Sequence, residues 1–223
     1  MINIAIDGTT SSGKSTLARE LAGRLNFKRL DTGAIYRGIA CRFKRMGLKE
    51  INDKTIQLLL ADLKLKVQFQ DGEQHVFANG VDETPNLRTE EISLLTSEIS
   101  AYKKVREQVL SIQRDFAAAN NCVMEGRDIT TVVLPKADVK LFITATAEER
   151  AKRRHLQFVG KPNAPTYEEV LRDLKIRDER DENRQFGKLT VAPDAILVDT
   201  TGKSLMEVAD LCQQIIENKL KTI

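Results

Sequence analysis

The 223-residue sequence has few of the side chains that build metal centres and disulfide frameworks. Its three cysteines, Cys41, Cys122 and Cys212, lie far apart and lack the paired spacing of a zinc site. Its two histidines, His75 and His155, are isolated, which argues against a histidine-ligated metal or a histidine-based catalytic triad. We expect three buried free thiols in a protein of a reducing compartment.

The sequence also lacks an excess of one charge and any long apolar run. With 35 basic and 32 acidic residues its net charge is +3, too balanced to indicate a nucleic-acid partner. It has no run of 18 apolar residues, and it opens on the strand-like "INIAI" rather than on a signal-peptide pattern. Hydrophobic residues make up 41% and charged residues 30%, as in a packed globular protein. We therefore expect a cytoplasmic protein that binds neither nucleic acid nor membrane. We also expect a monomer, although neither charge nor hydropathy determines the oligomeric state.

Short apolar segments that alternate with helical patterns predict the fold class. The strand candidates are "INIAI" (2–6), "FKRLD" (27–31), "VMEG" (123–126), "VKLFITA" (139–145) and "AILVD" (195–199). Helical spacing follows the first of them in "KSTLARELAGRL" and the last in "LMEVADLCQQIIENKL". This alternation predicts an α/β protein, a three-layer parallel sheet of about five strands with helices on both faces.

Residues 62–84 interrupt that alternation. Two hairpin signals, Asp71-Gly72 and Asn79-Gly80, separate β-prone segments and predict a small antiparallel meander. Helical patterns follow at residues 88–100 and 103–119. We predict a core domain formed by residues 1–60 and 101–223, into which residues 61–100 are inserted as a subdomain.

The stretch "GTTSSGKST" (8–16) matches the phosphate-binding pattern GxxxxGK[ST] between a predicted strand and a predicted helix. Its glycines let the backbone turn N–H groups towards an anion, and the helix adds its N-terminal dipole. Lys14 would reach the β- and γ-phosphates, and the Ser15 hydroxyl suits Mg²⁺. The alternative is a Gly/Ser-rich turn that merely precedes a helix. The predicted nucleotide-contacting residues are Gly8, Thr9, Thr10, Ser11, Ser12, Gly13, Lys14, Ser15 and Thr16.

Two strings near the C-terminus only partly match nucleotide-binding motifs. "TTGKS" (200–204) has Leu197 where a first glycine should stand, so we interpret Ser204 or Thr201 as the cap of the last helix. A GTPase-type switch would need a D-x-x-G beside the γ-phosphate and an N-K-x-D that reads guanine. "DTTG" (199–202) fits the first pattern but follows the last strand, and "NKLK" (218–221) lacks the aspartate. A small-molecule kinase is therefore favoured over a switch protein.

The segment "KIRDERDENRQF" (175–186) places arginines where a helix should be apolar. Arg177, Arg180 and Arg184 continue, at helical spacing, the stripe that carries Leu171 and Leu174. A kinase whose acceptor is itself a phosphate must bring two polyanions together, and guanidinium groups pair bidentately with phosphate oxygens. We therefore predict that the stripe borders a nucleotide cleft, with Arg180 the weakest of the three. The alternative is a solvated charged face.

An ordered series of motifs covers nearly the whole chain. They are the phosphate loop, "LDTGAIYRGIA" (30–40), "LRTEEIS" (87–93), "KVREQVLSIQR" (104–114), "MEGRDITTVVLPKADVKLFITATAEERAKRR" (124–154) and "IRDERDENR" (176–184). With D-[ST]-G-A-x-Y-R, G-R-D and R-D-x-R-D in combination, the sequence resembles the bacterial cytidylate kinases. The resemblance implies a P-loop kinase fold with a short lid at residues 154–166 and an insert that binds the monophosphate. It also implies transfer of the γ-phosphoryl group of ATP to CMP or dCMP, with Mg²⁺ as cofactor.

The resemblance further implies which side chains bind the acceptor nucleotide. They are Thr32, Tyr36, Arg37, Ser97, Arg106, Arg127, Asp128, Arg177, Asp181 and Arg184. The cytosine contacts among them are Thr32, Ser97, Arg106 and Asp128. The phosphate contacts are Arg37, Arg127 and Arg184, and the sugar contacts are Arg177 and Asp181. Taken alone, Thr32 also fits a helix N-cap, Tyr36 a core aromatic and Ser97 a helix-surface serine.

The same resemblance implies a catalytic set and a cover for ATP. The catalytic residues would be Lys14, Arg127, Arg177 and Arg184, and Arg153 with residues 154–163 would form the lid. The chain departs from the family pattern D-G-R-D-I-G-T, because Glu125 replaces an aspartate and Thr130 a glycine, which should stiffen that turn. Thr9 and Thr10 replace a more usual proline and small residue, without touching the cradle. None of these changes alters the expected reaction class.

Overall fold

A computed structural model describes residues 1–160 and 164–222. The chain divides into two compact units, one formed by Met1–Arg29 with Ala117–Ile223 and the other by Leu30–Phe116. Within the described ranges, no helix combines the length and the apolar character that a membrane span requires.

The chain forms eight strands and eight α-helices within these described residues. The strands are β1 (Asn3–Gly8), β2 (Lys28–Asp31), β3 (Leu65–Gln70), β4 (Glu73–Ala78), β5 (Val81–Asp82), β6 (Cys122–Glu125), β7 (Val139–Thr144) and β8 (Ile196–Asp199). The helices are α1 (Lys14–Leu25), α2 (Thr32–Arg45), α3 (Asp53–Ala61), α4 (Glu90–Ile99), α5 (Lys103–Ala119), α6 (Ala147–Leu156), α7 (Tyr167–Asn183) and α8 (Leu205–Leu220).

A five-stranded parallel sheet has the order β2-β6-β1-β7-β8, and its strands β1, β6, β7 and β8 lie in the first unit. Ile4, Ala5 and Ile6 of the central strand β1 are all fully buried. Because successive strand residues point to opposite faces, both faces of the sheet are covered. On one face Ile4 and Ile6 pack with Leu17 of α1 and Val208 of α8. This architecture confirms the predicted α/β fold class.

Gly8 ends β1 where the strand passes very close to its neighbour β7. A Cβ added at Gly8 would collide with the backbone carbonyl of Ile143. Only glycine therefore lets the two strands keep their register up to the point where the phosphate-binding loop begins. In open α/β sheets, ligands bind beyond the carboxyl ends of the strands, which is where this loop lies.

The second unit contains the antiparallel meander β3-β4-β5, as predicted. At both turns the two central residues have positive φ, 50° and 80° at Asp71-Gly72 and 51° and 80° at Asn79-Gly80. These are the values of a type I′ turn, whose twist matches that of the flanking strands. Helix α2 packs against β4 and α4, so the compact unit is larger than the predicted insert at residues 61–100, which stays a prediction.

Three free cysteines are buried, as predicted, at Cys41, Cys122 and Cys212. Burial raises the pKa of the Cys122 thiol to about 12 and that of the Cys212 thiol to about 11. Burial also raises the pKa of Cys41. Thiols of this kind carry almost no thiolate at neutral pH and act as small apolar side chains.

Gly38 sets the distance between α2 and the meander. A Cβ built there would lie 2.5 Å from Cγ1 of Val76, a fully buried residue of β4. We expect Gly38→Ala to lower the free energy of unfolding by about 1–2 kcal/mol, the cost of overpacking less the gain in helix propensity. Gly23→Ala in α1 is the matched control, because an added Cβ there has no neighbour within 4 Å. Urea unfolding should show the control to be neutral or more stable, and equal midpoints for the two variants would contradict the close packing.

Candidate active site

The phosphate-binding loop enters α1 at Lys14. Gly13, the N-cap of the helix, has φ +88°, a left-handed conformation that glycine adopts without strain. Lys14 folds back over the loop, where its Nζ donates to the Thr9 carbonyl at 2.8 Å, and only 6% of the residue is exposed. Burial, together with the nearby Arg127, lowers the pKa of Lys14. A bound polyphosphate would favour the charged form again, so the loop suits an anionic ligand.

Ser15 and Glu125 present oxygen atoms that suit a divalent cation. Ser15 Oγ donates to Glu125 Oε2 at 2.5 Å, and Glu125, the last residue of β6, is 2% exposed. Arg29 Nε lies 3.6 Å from the other carboxylate oxygen, Oε1. Mg²⁺ takes hard oxygen ligands and in phosphotransferases is held by one or two protein groups plus phosphates and water. The pair therefore fits Mg²⁺, and the direct ligand role of Ser15 stays a prediction.

The Asp181 carboxylate contacts two of the predicted arginines near the loop lysine. Its Oδ2 accepts a hydrogen bond from Arg127 Nε at 2.7 Å, and its Oδ1 lies 3.4 Å from Arg184 Nη1. Burial alone would raise the pKa of Asp181, but Arg127, Arg184 and Arg177 lower it. Arg177 also lies close enough to Lys14 to lower the pKa of that ammonium. Three guanidinium groups and one ammonium therefore converge, as the binding of two polyanions requires.

The predicted arginine stripe is not a solvated face, although it does not stay helical to its end, because α7 ends at Asn183 and Arg184 is its C-cap with an extended backbone. The side chains of Arg184 and Asp181 are each only 7% exposed, and Arg177 is half-buried. Arg180, between them in sequence, is exposed, which agrees with its being the weakest of the three. The solvated-face alternative is therefore wrong for Arg177 and Arg184, whose roles towards a substrate stay predictions.

In the second unit, Asp31 and Thr32 begin α2. Asp31 is the N-cap, because its Oδ1 accepts from the Ala34 N–H at 2.9 Å. The N-cap alternative for Thr32 is therefore wrong, and Thr32 is a buried first residue of the helix, 2% exposed. Arg37 Nη2 donates to Asp31 Oδ2 at 3.0 Å, so the same carboxylate caps the helix and orients the arginine.

Arg106, Tyr36 and Ser97 also belong to the second unit. The Arg106 guanidinium carbon lies 5.3 Å from the centroid of the Tyr36 ring, and its Nη1 donates to the Ser100 carbonyl at 3.0 Å. Tyr36 is 7% exposed, so its ring also packs as a core aromatic. The Ser97 Oγ is buried and has no hydrogen-bond partner among the described residues, unlike a solvated helix-surface serine. This set offers a stacked cation and an unused hydroxyl to a planar polar ligand.

A cavity of about 180 Å³ lies beside the phosphate-binding loop in the first unit. Among the residues that line it are Gly13, Thr16, Arg153, Thr200 and Leu205. Arg153 is held there, because Nη1 donates to Thr200 Oγ1 at 2.9 Å and Nη2 to the Thr200 carbonyl at 2.7 Å. The lid predicted at residues 154–166 follows Arg153 on α6, and its residues 161–163 lie outside the described residues.

The "TTGKS" segment borders this cavity and has the capping role that the sequence predicted. Ser204 is the N-cap of α8, where its Oγ accepts from the Glu207 N–H at 3.3 Å in a capping box. The contact that Thr200 makes with Arg153 was not predicted.

Arg150 and Asp178 are site residues that the sequence reasoning missed. Asp178 Oδ1 accepts from the Thr10 N–H at 3.2 Å, and Arg150 Nη1 donates both to the Thr10 carbonyl at 3.0 Å and to Asp178 Oδ2 at 2.5 Å. A signal was present for Asp178, which continues the buried stripe of Val170 and Leu174 at four-residue spacing. A carboxylate on an apolar stripe indicates a buried partner.

Comparison with known proteins shows the family. The family model described as cytidylate kinase matches residues 4–218. The chain is 44% identical over 218 residues to a cytidylate kinase of Carboxydothermus hydrogenoformans, with 98% of each chain covered. It is 39% identical over 223 residues to one of Caldicellulosiruptor bescii, with 98% and 99% covered. A crystal structure of an uncharacterized protein from Eubacterium ventriosum shares the fold, with TM-score 0.52 and 14% identity over 97% of this chain and 99% of that one. As its motifs predicted, the chain belongs to the cytidylate kinase family.

Proposed function

We propose that the chain transfers the γ-phosphoryl group of ATP to CMP or dCMP, giving ADP and CDP or dCDP. The observation that carries this proposal is the convergence of four cations, Lys14, Arg127, Arg177 and Arg184, beside the phosphate-binding loop of a cytidylate kinase family member. A GTPase-type switch has no phosphorylated acceptor whose charge must be neutralised. In addition, "NKLK" lacks the aspartate that reads guanine. The kinase alternative is therefore the one we adopt.

The reaction needs alignment and charge neutralisation rather than a protein base. An ionised phosphate oxygen of the monophosphate attacks the γ-phosphorus of ATP, and the bond to the β,γ-bridging oxygen breaks in line with it. Because the attacking oxygen is already ionised at neutral pH, no side chain has to remove a proton. Lys14 neutralises the β- and γ-phosphates, and Arg127 and Arg184, with Arg37, hold the acceptor phosphate. Mg²⁺, held by Ser15 and the nucleotide phosphates, would add positive charge at the transferring group.

Recognition of the acceptor is assigned to the predicted cytosine and sugar contacts. The 4-amino and 2-keto groups of cytosine need both acceptors and donors, which Ser97, Arg106, Thr32 and Asp128 together provide. The partnerless buried hydroxyl of Ser97 supports this assignment, because such a group is costly until a ligand satisfies it. Arg177 and Asp181 are assigned to the sugar of the monophosphate.

We assign the cavity beside the loop to the base of ATP. It adjoins Gly13, at the start of α1, and Thr16, in the first turn of that helix. Arg153, fixed by Thr200, offers a planar guanidinium on which an aromatic base can stack.

We further infer that the protein works as a monomer in the cytoplasm, with nucleotides as its only partners. Its three buried free cysteines support a reducing compartment.

A coupled assay of ADP release tests the proposed function. With ATP and Mg²⁺ held constant, CMP and dCMP should be turned over at least about tenfold faster than AMP or GMP, because a base site built of fixed donors and acceptors rejects a mismatched edge. UMP and a reaction without acceptor are the controls. Activity with AMP or GMP but not with CMP would overturn the assignment.

A further inference from the structure

We propose that Thr10 is a positioning residue for Arg127, an inference that rests on the proposed function. Arg127 Nη2 donates to Thr10 Oγ1 at 3.0 Å, while its Nε donates to Asp181 at 2.7 Å. Arg127 Nη1 donates to the carbonyl of Gly126 at 3.2 Å. Each nitrogen of the guanidinium therefore has an acceptor of its own, which fixes the plane of the group as well as its position.

These three hydrogen bonds leave Arg127 ready to bind a phosphate. A guanidinium carries five N–H groups, one on Nε and two on each Nη. With one N–H used on each nitrogen, a single N–H remains on Nη1 and another on Nη2. Two parallel N–H groups are the fork that pairs bidentately with phosphate oxygens. Without the Thr10 hydroxyl, Nη2 would lose one of the three acceptors that fix the plane of the guanidinium, and with it the direction of the two remaining N–H groups.

Thr10 can position another side chain because hydrogen bonds to its N–H and to its carbonyl hold its own backbone in place. Its N–H donates to Asp178 and its carbonyl accepts from Arg150, and these two side chains also pair with each other. All three residues are buried, with 8%, 8% and 6% of Thr10, Asp178 and Arg150 exposed. Helices α6 and α7 thus hold the loop at this residue, and a hydroxyl on a fixed backbone occupies a fixed place.

The arrangement joins the two nucleotide sites within the first unit. Thr10 belongs to the loop that carries the donor phosphates, yet its hydroxyl serves an arginine assigned to the acceptor phosphate. From the sequence alone, the change at Thr10 is not expected to touch the cradle, and the contact between Thr10 and Arg127 was not predicted. An alanine or glycine at this position has no acceptor to offer Arg127, whereas a serine has one.

Thr10→Val is the direct test, because valine keeps the β-branched shape and removes the acceptor. We expect kcat/KM for CMP to fall about tenfold, the effect of one hydrogen bond to a charged group, while KM for ATP changes less than about twofold. Thr10→Ser should keep kcat/KM within about twofold of the wild-type value. Thr55→Val is the control, because it removes a threonine hydroxyl that accepts from the Asn52 N–H at 3.0 Å in the cap of α3 and belongs to none of the assigned nucleotide contacts, and it should leave both constants unchanged.

A double-mutant cycle shows whether Thr10 acts through Arg127. In an Arg127→Lys background, which has lost the fork, Thr10→Val should cost less than about twofold. The same tenfold loss in both backgrounds, a raised KM for ATP alone, or failure of Thr10→Ser to restore activity would overturn the proposal. Should Thr10→Val unfold, Thr10→Ala carries the same expectations. A wild-type protein that does not phosphorylate CMP would instead overturn the proposed function.

Discussion

Lys14→Ala should lower kcat for CMP phosphorylation by about 10²–10³, with the fold retained. The ammonium is the only side-chain cation that the phosphate-binding loop itself contributes, and removing one donor of this kind from a phosphate or oxyanion site costs that much. The structure shows that Lys14 is buried rather than exposed, and that burial lowers its pKa. A folded-state pKa below the unfolded value means that the charge opposes folding, and this offsets the loss of the hydrogen bond to the Thr9 carbonyl, so the melting temperature should change little.

Lys140 supplies the matched control for this variant. It is the other buried lysine among the described residues, 7% exposed, and its Nζ donates to the Pro135 carbonyl at 2.7 Å and to Asp194 at 2.9 Å. Lys140→Ala should show the opposite result, a loss of about 1 kcal/mol or more of stability with kcat retained, because it removes an ion pair with Asp194 in addition to a hydrogen bond to a carbonyl. Steady-state kinetics and thermal unfolding of both variants measure the contrast. Near-normal kcat in Lys14→Ala would remove the loop from the reaction.

Local patterns were enough to predict most of the strands and the turns between them. Each predicted core strand lies within two residues of an observed one, because a buried parallel strand is a short apolar run bounded by polar or turn residues. The meander was also predicted, because Asp71-Gly72 and Asn79-Gly80 are both typical of the type I′ turns that they form. Helices α2, α3 and α6 were not located, because they lack a clean apolar stripe or lie inside motifs that were interpreted for chemistry.

The site was less predictable, because its contacts join distant parts of the chain. Lys14 and Ser15 follow from a local motif whose mechanism fixes their places. The hydrogen bond between Thr10 and Asp178 spans 168 residues, and the ion pair between Arg150 and Asp178 spans 28. Spacing along a helix shows that such a charge is buried, but not which partner it meets. Thr32, Ser97 and Arg106 were assigned to the site only through family resemblance, since no periodicity marks them, and their roles stay predictions.

Arg184→Lys should lower kcat/KM for CMP by about ten- to a hundredfold. Arg184 Nε donates to the Gly187 carbonyl at 2.5 Å, and Nη1 faces Asp181. These two contacts fix the orientation of the Arg184 guanidinium. Lysine keeps the charge but has no fork, so it cannot hold these partners and a phosphate at once. A charge-assisted hydrogen bond is worth roughly 1.5–3 kcal/mol, which gives the expected range if it forms mainly in the transition state. KM for ATP should be little affected, because the residue is assigned to the acceptor.

Arg180→Lys tests the same change four residues earlier, at an exposed position within α7. It should alter kcat/KM for CMP by less than about twofold, because a solvated guanidinium loses little when an ammonium replaces it. Thermal unfolding should be nearly unchanged in both variants, since Asp181 keeps its hydrogen bond with Arg127 and a positive charge stays beside it at position 184. The contrast between two arginines four residues apart thus isolates the direction in which the side chain points. If Arg184→Lys and Arg180→Lys both kept the wild-type kcat/KM, burial of Arg184 would be a matter of packing alone, and its assignment to the acceptor phosphate would be wrong.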